Sequence, residues 1–459
     1  MRAGSCPQEK LTLAETFDLV FKSGAIVNQA GEGLADIGVR DGRIAEIGAI
    51  GEGMAGETID ASGLHILPGV IDTQVHFREP GLEHKEDLET GSRSAVLGGV
   101  TAVFEMPNTR PPTTSSEALA AKVSAATGRM YCDFAFFVGA TRDNVDELGK
   151  LELEPGSAGI KVFMGSSTGD LLVDDEETLA RILGKIRRRA AFHAEDEARL
   201  RERASLQRAG DPSSHSEWRD PKAALIATER LLSLASAAGK RVHVLHVSTA
   251  AEMELLALYK GVASVEVTPQ HLTLAAPEVY EALGTRAQMN PPLRDHYHQQ
   301  RLWWGVTQGV VDVLGSDHAP HTLEEKSASY PLTPSGMPGV QTLVPVMLDH
   351  VNAGRLTLAR FVDLTSAGPQ RIFGIAGKGR IAVGYDADLT IVDLKAERVI
   401  ENSWIGSKCG WTPFAGRRVR GWPVGTLVRG RLAMWEGELG PARGQPVRFG
   451  EALPGAATE

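Results

Sequence analysis

Apolar and polar positions follow two patterns along this chain. At the start, short alternating stretches are broken by tight turns: DLVFKSGAIV, then LADIGVRDGRIAEIGAI with the hairpin pair Asp41-Gly42, then ETIDASGLHILPG. Period-two alternation between glycine turns predicts the strands of a small β domain. The same texture returns near the end, in GRIAVGYDADLTIVDL, ERVIENS and VGTLVRGRLAMWEGEL, where Val428 to Gly437 reads as strand, turn and strand. Two β-rich flanks around one body predict a single β-sandwich assembled from both chain ends.

Between Ile66 and Gly377 the pattern changes to strand-like apolar runs alternating with helical stretches. The runs end at Gly69–His76, Thr101–Met106, Asp133–Gly139, Gly159–Met164, Ala190–His193, Arg241–Val247, Ala263–Thr268 and Val311–Asp317. Eight is the number a (β/α)8 barrel needs. Continuous hydrophobicity suits strands buried on both faces, and EETLARILGKIRR and PKAALIATERLLSLASAAG carry the helical period. A long open α/β sheet gives a similar string, so the pattern favours the barrel without excluding the sheet. The expected division is 1–67 for the N-terminal part of the sandwich, 68–378 for the barrel, and 379–459 for the C-terminal part with a loose tail, EALPGAATE.

Composition narrows the function classes. With 459 residues, 42% hydrophobic and 23% charged, the chain is long enough for a large core without disulfides. Cys6, Cys132 and Cys409 are far apart and in no CxxC spacing, which excludes a disulfide framework and a thiolate zinc site and fits a reducing cytoplasm. No apolar stretch reaches signal-peptide or membrane-span length. A net charge of −10 without a long Lys/Arg block argues against nucleic-acid binding, and Lys185 to Arg189 (KIRRR) reads as a solvated helix face.

Chemistry collects where strands end. His76 in IDTQVHFREPG, Lys161 in GIKVFMGSSTG, His193 in AAFHAEDE, His246 in VHVLHVST and Asp317 in VLGSDHAPH each close an apolar run. Burying such groups costs on the order of several kcal/mol unless they are paired or bound to metal. Any one of these histidines is explained equally well as a satisfied core residue, but barrel strands bring their C-terminal ends together, so the five form one cluster. Imidazole nitrogens and an aspartate oxygen suit a zinc-like ion, which polarises a carbonyl and lowers the pKa of bound water to about 7. Asp317 then has two possible tasks, metal ligand and proton-accepting base. Lys161 as an ammonium would be repelled by metal; burial favours the neutral amine, which reacts with carbon dioxide to give a carbamate able to bridge two ions. The alternative is a strand-end lysine paired with a carboxylate.

The ordered set LPGVIDTQVHFREPG, MPNT, KVFMGSSTG, HAED, HVLHVST, NPPLR, SDHAPHTLEEK and SKCGWTPFAG resembles the amidohydrolase superfamily over nearly the whole chain, the cyclic amidases in particular and the dihydroorotases most closely. The resemblance implies a (β/α)8 barrel beside a composite β-sandwich, one or two zinc ions, and reversible hydrolysis of dihydroorotate to carbamoyl aspartate in pyrimidine biosynthesis. It makes His76 a ligand of the more buried metal, Lys161 the N6-carboxylated bridge, His193 and His246 ligands of the second metal, and Asp317 the ligand that also shuttles the proton. It makes Arg78, Asn108 and His321 the grip on the substrate carboxylate and Asn290 a contact to the ring. A guanidinium fork suits a carboxylate, the alternative for Arg78 being an ion pair with Glu79 or Glu86. The resemblance also implies a homo-oligomer, a dimer or tetramer.

One position departs from the family pattern, which has two histidines one residue apart on the first strand. Gln74 stands where the first should be. An amide oxygen binds zinc more weakly than imidazole does. Three readings follow: a dihydroorotase branch with an altered first site, an enzyme holding only the second metal, or an inactive scaffold partner of aspartate carbamoyltransferase. Allantoinases and hydantoinases are the alternative activities; hydantoinases act on neutral rings and do not need the Arg/Asn/His set. Of the remaining features, Glu79, Glu83, His84 and Lys85 read equally as solvated loop charges or as functional ones, and Lys408 and Trp411 as packing positions with no chemical role assigned. Ser327 to Gly339, with Pro331, Pro334, Gly336 and Pro338, reads as a loop after the eighth strand that covers the substrate.

Overall fold

The computed structural model describes residues 17–166 and 171–450. The tail EALPGAATE, Cys6 and the end of the KVFMGSSTG motif lie outside the described residues.

Eight parallel strands pair in chain order: Val70–Val75, Val100–Glu105, Asp133–Gly139, Ser157–Phe163, Ala190–His193, Val242–Val244, Ala263–Val267 and Val313–Leu314. The ring closes where Val75 bridges His318 in parallel and the His76 amide donates to the His318 carbonyl at 2.7 Å. Closure excludes the open-sheet alternative. The sixth and eighth strands end earlier than the apolar runs predict. Past them His246 (φ 35°) and Asp317 (φ 45°), like Arg78 (φ 67°) past the first, adopt left-handed backbone, which takes these segments off the ladder.

Period-two alternation decides which side chains point inward. On the fifth strand Ala190 and Phe192 pack in the outer core with the helices, whereas Ala191 joins the barrel interior with Phe104, Phe137 and Phe373. His193, two residues past Ala191, shares its inward face. The interior is therefore apolar below and polar at the mouth.

Strands from both ends form one nine-stranded sheet, joined where Leu389–Val399 pairs antiparallel with His65–Pro68. Leu19, Phe21 and Ile66 share a core with Leu389, Ile391 and Leu427. Asp41 (φ 51°) and Gly42 (φ 75°) make the predicted hairpin turn, and Arg418–Val428 turns into Arg431–Trp435 as expected. Beneath the barrel Lys378 is buried against Asp133, which opens the third strand, at 2.6 Å and against Asp386 at 3.3 Å.

The KIRRR segment corrects the helix-face reading, because the helix Glu176–Lys185 stops at its first residue. The amides of Arg187 and Arg188 instead donate to the buried Glu152 carboxylate at 2.5 and 2.9 Å. Among the described residues, no helix is long and apolar enough to cross a membrane.

Candidate active site at the barrel mouth

All five strand-end residues are buried and line one narrow cavity, together with Gln74 and Asn290. His193 Nδ1 lies 3.0 Å from His246 Nε2, and His76 Nε2 lies 3.1 Å from Asp317 Oδ1. Two donors on one tetrahedral ion stand roughly 3.3 Å apart, given bonds of about 2.0–2.1 Å. Both pairs have nearly that spacing, so each matches two corners of such an ion's shell.

Orientation points the same way. Glu195 Oε2 accepts from His193 Nε2 at 3.0 Å, and Asn108 Oδ1 accepts from His76 Nδ1 at 2.7 Å. Each leaves the opposite ring nitrogen as a lone-pair donor facing the cavity, the role of outer partners in metal sites. Burial lowers the pKa of both imidazoles, which favours the neutral form a metal needs. Among the described residues no three His, Cys, Asp or Glu side chains converge tightly enough to hold an ion alone. The further donors available are Lys161 and the Gln74 amide, whose Oε1 is buried without a partner while its Nε2 donates to Asp317 Oδ1 at 3.1 Å.

Lys161 has no carboxylate in ion-pair range among the described residues, against the paired-lysine alternative. Its Nζ sits 4.5 Å from the centre of the Phe163 ring, and desolvation pushes its pKa down to about 7. An amine this close to neutrality is nucleophilic.

Arg78 is buried too, with Nε donating to the Pro320 carbonyl at 3.1 Å and Nη2 3.2 Å from His321 Nε2. The ion pairs expected as an alternative are absent. Glu79 binds Arg129 at 2.8 Å, and Glu86 accepts from Ser407 and the Lys408 amide. Desolvation lowers the Arg78 pKa to about 10. Arg78, Asn108 and His321 line a cleft of about 450 Å³ with Lys85 and Arg110, and the His76–Asn108 hydrogen bond ties this cleft to the strand-end cavity. Asn290 Oδ1 is engaged by His215 Nε2 at 2.9 Å.

Several contributors were not singled out from sequence. Glu195, which orients His193, is itself held by buried Arg219 at 2.5 Å; a carboxylate two residues past a strand-end histidine was its signal. Glu266 is fully buried inside the barrel, accepts from Thr73 Oγ1 at 2.7 Å, and has its pKa raised by burial to about 8. A charge inside the apolar run ASVEV was visible, but only strand ends were weighed. One open reading is decided and one is extended. Lys85 is no free loop charge, since its Nζ lies 3.2 Å from His321 Nδ1 and 3.0 Å from Glu325. Trp411 does more than pack, because its indole N–H donates to the His321 carbonyl at 2.8 Å.

A closed barrel with histidine, lysine and aspartate side chains gathered at its mouth defines the class: the chain belongs to the amidohydrolase family, whose sequence profile, Amidohydrolase family, matches residues 65–433. Members of this family are generally metal-dependent. Within it the likeness is to cyclic amidases. A dihydroorotase from Halobacterium salinarum is 39% identical over 416 residues, 88% of this chain and 95% of that protein. An allantoinase from Rubrobacter xylanophilus is 36% identical over 440 residues, 93% and 96% of the two chains. The solved L-hydantoinase (dihydropyrimidinase) from Arthrobacter aurescens superposes with a TM-score of 0.89 at 33% identity, covering 94% of this chain and all of the other.

Proposed function

We propose that this chain is a dihydroorotase, opening the ring amide of dihydroorotate to N-carbamoyl-aspartate and closing it in reverse. The observation that carries the choice of substrate is Arg78, a buried guanidinium with no carboxylate partner among the described residues, beside His321 and next to the strand-end cavity. A buried cation left unpaired is costly, and a substrate carboxylate satisfies it with two parallel bonds. Relatives named dihydroorotase at 36–39% identity support the same reading.

His193, His246, Asp317, His76 and a carboxylated Lys161 would hold the metal, with zinc the ion this nitrogen and oxygen donor set favours. A bound ion supplies Lewis-acid polarisation of the ring carbonyl and a water acidic enough to attack it. Asp317 takes the proton released as water adds to the carbonyl carbon. It returns that proton to the ring nitrogen as the C–N bond breaks, leaving the new carboxylate and the carbamoyl nitrogen. Arg78 and His321 hold the existing carboxylate, Asn108 divides its amide between that grip and His76, and Asn290 faces the ring. The domain division follows the same lines, with barrel residues 68–378 carrying the chemistry. Cys132 and Cys409, both free and buried, support a cytoplasmic setting.

The test is turnover of the metal-loaded protein on dihydroorotate, allantoin and hydantoin in parallel. The expected order puts dihydroorotate first by at least about 100-fold in kcat/KM, the scale of one charge-assisted bidentate contact. Preference for either neutral ureide overturns the assignment in favour of the allantoinase or hydantoinase reading.

A further inference from the structure

Lys326 ends the short helix Leu323–Lys326 and is 1% exposed, yet no carboxylate pairs with it among the described residues. Its three ammonium hydrogens are matched by three backbone carbonyls: Gln288 at 3.2 Å, Pro334 at 2.9 Å and Gly336 at 3.0 Å. These belong to two separate loops, and both reach the active cavity. Ser335 and Gly336 line it from one loop, and Asn290, two residues past Gln288, lines it from the other.

The surrounding bonds tie the same two loops. Gln288 Nε2 donates to the Thr333 carbonyl at 3.0 Å and lies 3.1 Å from Ser335 Oγ, while the Gly336 amide donates to the Gln288 carbonyl at 2.9 Å. The Ser335 carbonyl in turn accepts from His321 Nε2 at 3.0 Å. Gly336 sits at φ +134°, and a Cβ there would lie 2.6 Å from the Ala319 carbonyl oxygen, so the loop is pressed against the segment following Asp317. Apolar packing alone would bury a loop at lower desolvation cost. Desolvation lowers the Lys326 pKa to about 7, so what its Nζ adds is geometric: one buried group holds three backbone carbonyls at once.

We infer that Lys326 is a positioning residue that locks the Ser335–Gly336 wall of the cleft to the Asn290 loop, and so sets the space in which the substrate ring lies. This deepens the proposed function and rests on it for the substrate used. It touches no reacting atom, so its loss should act on substrate binding before chemistry.

The experiment compares the full-length, metal-loaded wild type with Lys326→Met, which keeps the stem and removes the charge. Amide exchange over residues 286–291 and 333–337 should speed up by about tenfold or more, and KM for dihydroorotate should rise by about tenfold, while kcat stays within about threefold and metal content is unchanged. Unchanged exchange or unchanged KM overturns the inference. Should Lys326→Met fail to fold, Lys326→Gln keeps a polar end that can still donate to one or two of the three carbonyls while removing the charge and the remaining tie. Faster exchange at Gly336 with a KM raised about threefold is then expected, and wild-type values overturn the inference. A wild type inactive on dihydroorotate overturns the functional assignment instead. Exchange measured without substrate still decides the lock, and KM is then read on whichever ureide is turned over.

Discussion

Gln74 donates its amide Nε2 to Oδ1 of Asp317 across 3.1 Å, and the same carboxylate oxygen faces His76 Nε2 at 3.1 Å. The glutamine thus occupies an oxygen that a buried ion would claim, and it offers only a neutral carbonyl in exchange. Gln74→His restores an imidazole at this place. After dialysis against a mild chelator, the wild type is expected to keep about one zinc per chain and the variant about two, read by elemental analysis. Equal contents would mean that the substitution does not govern the buried site.

Arg78→Ala removes the fork proposed to meet the substrate carboxylate. KM for dihydroorotate should rise about 10- to 100-fold, with a smaller fall in kcat, because the contact exists before and during reaction. Arg78→Lys should recover little, since a single ammonium cannot present two parallel donors. Steady-state kinetics with both variants decides this.

Glu195→Gln weakens the bond that fixes the His193 ring and leaves Arg219 buried without its carboxylate. Zinc affinity, measured by competition with a chromophoric chelator, should fall about 10- to 100-fold. Thermal stability should fall as well, since breaking a buried pair costs about 3–5 kcal/mol.

Lys161 has its pKa lowered to about 7 by burial, so its neutral, nucleophilic form is present above that pH and is lost as pH falls through it. Metal-depleted enzyme should therefore regain activity with zinc and bicarbonate readily at about pH 8 and slowly at about pH 6, where the ammonium dominates. A carbon-13 carbamate signal from labelled bicarbonate should follow the same profile and vanish in Lys161→Met.

The barrel strands and the strand-end donors were legible because buried strands make unbroken apolar runs, and a His, Lys or Asp closing such a run is conspicuous. Lys326 and Lys85 were not, since a lysine within a polar loop looks the same whether it faces water or three carbonyls. Glu266 was hidden by its position inside a run instead of at its end. The open sheet could not be excluded from pattern alone, because closure rests on the Val75–His318 bridge, a pairing between residues far apart in sequence. The segment Lys185 to Arg189 misled for a related reason: its charges fit an exposed helix, while its backbone amides serve Glu152.

That bridge has a consequence for how the candidate site comes into being. His76 and Asp317 stand on either side of the ring's last seam, 241 positions apart along the chain. The contact that finishes the barrel is also the one that brings Asp317, the proposed proton acceptor, to its neighbour. On the proposed roles, closing the barrel and completing the site are one event, because a ring lacking its last seam lacks the His76–Asp317 pair.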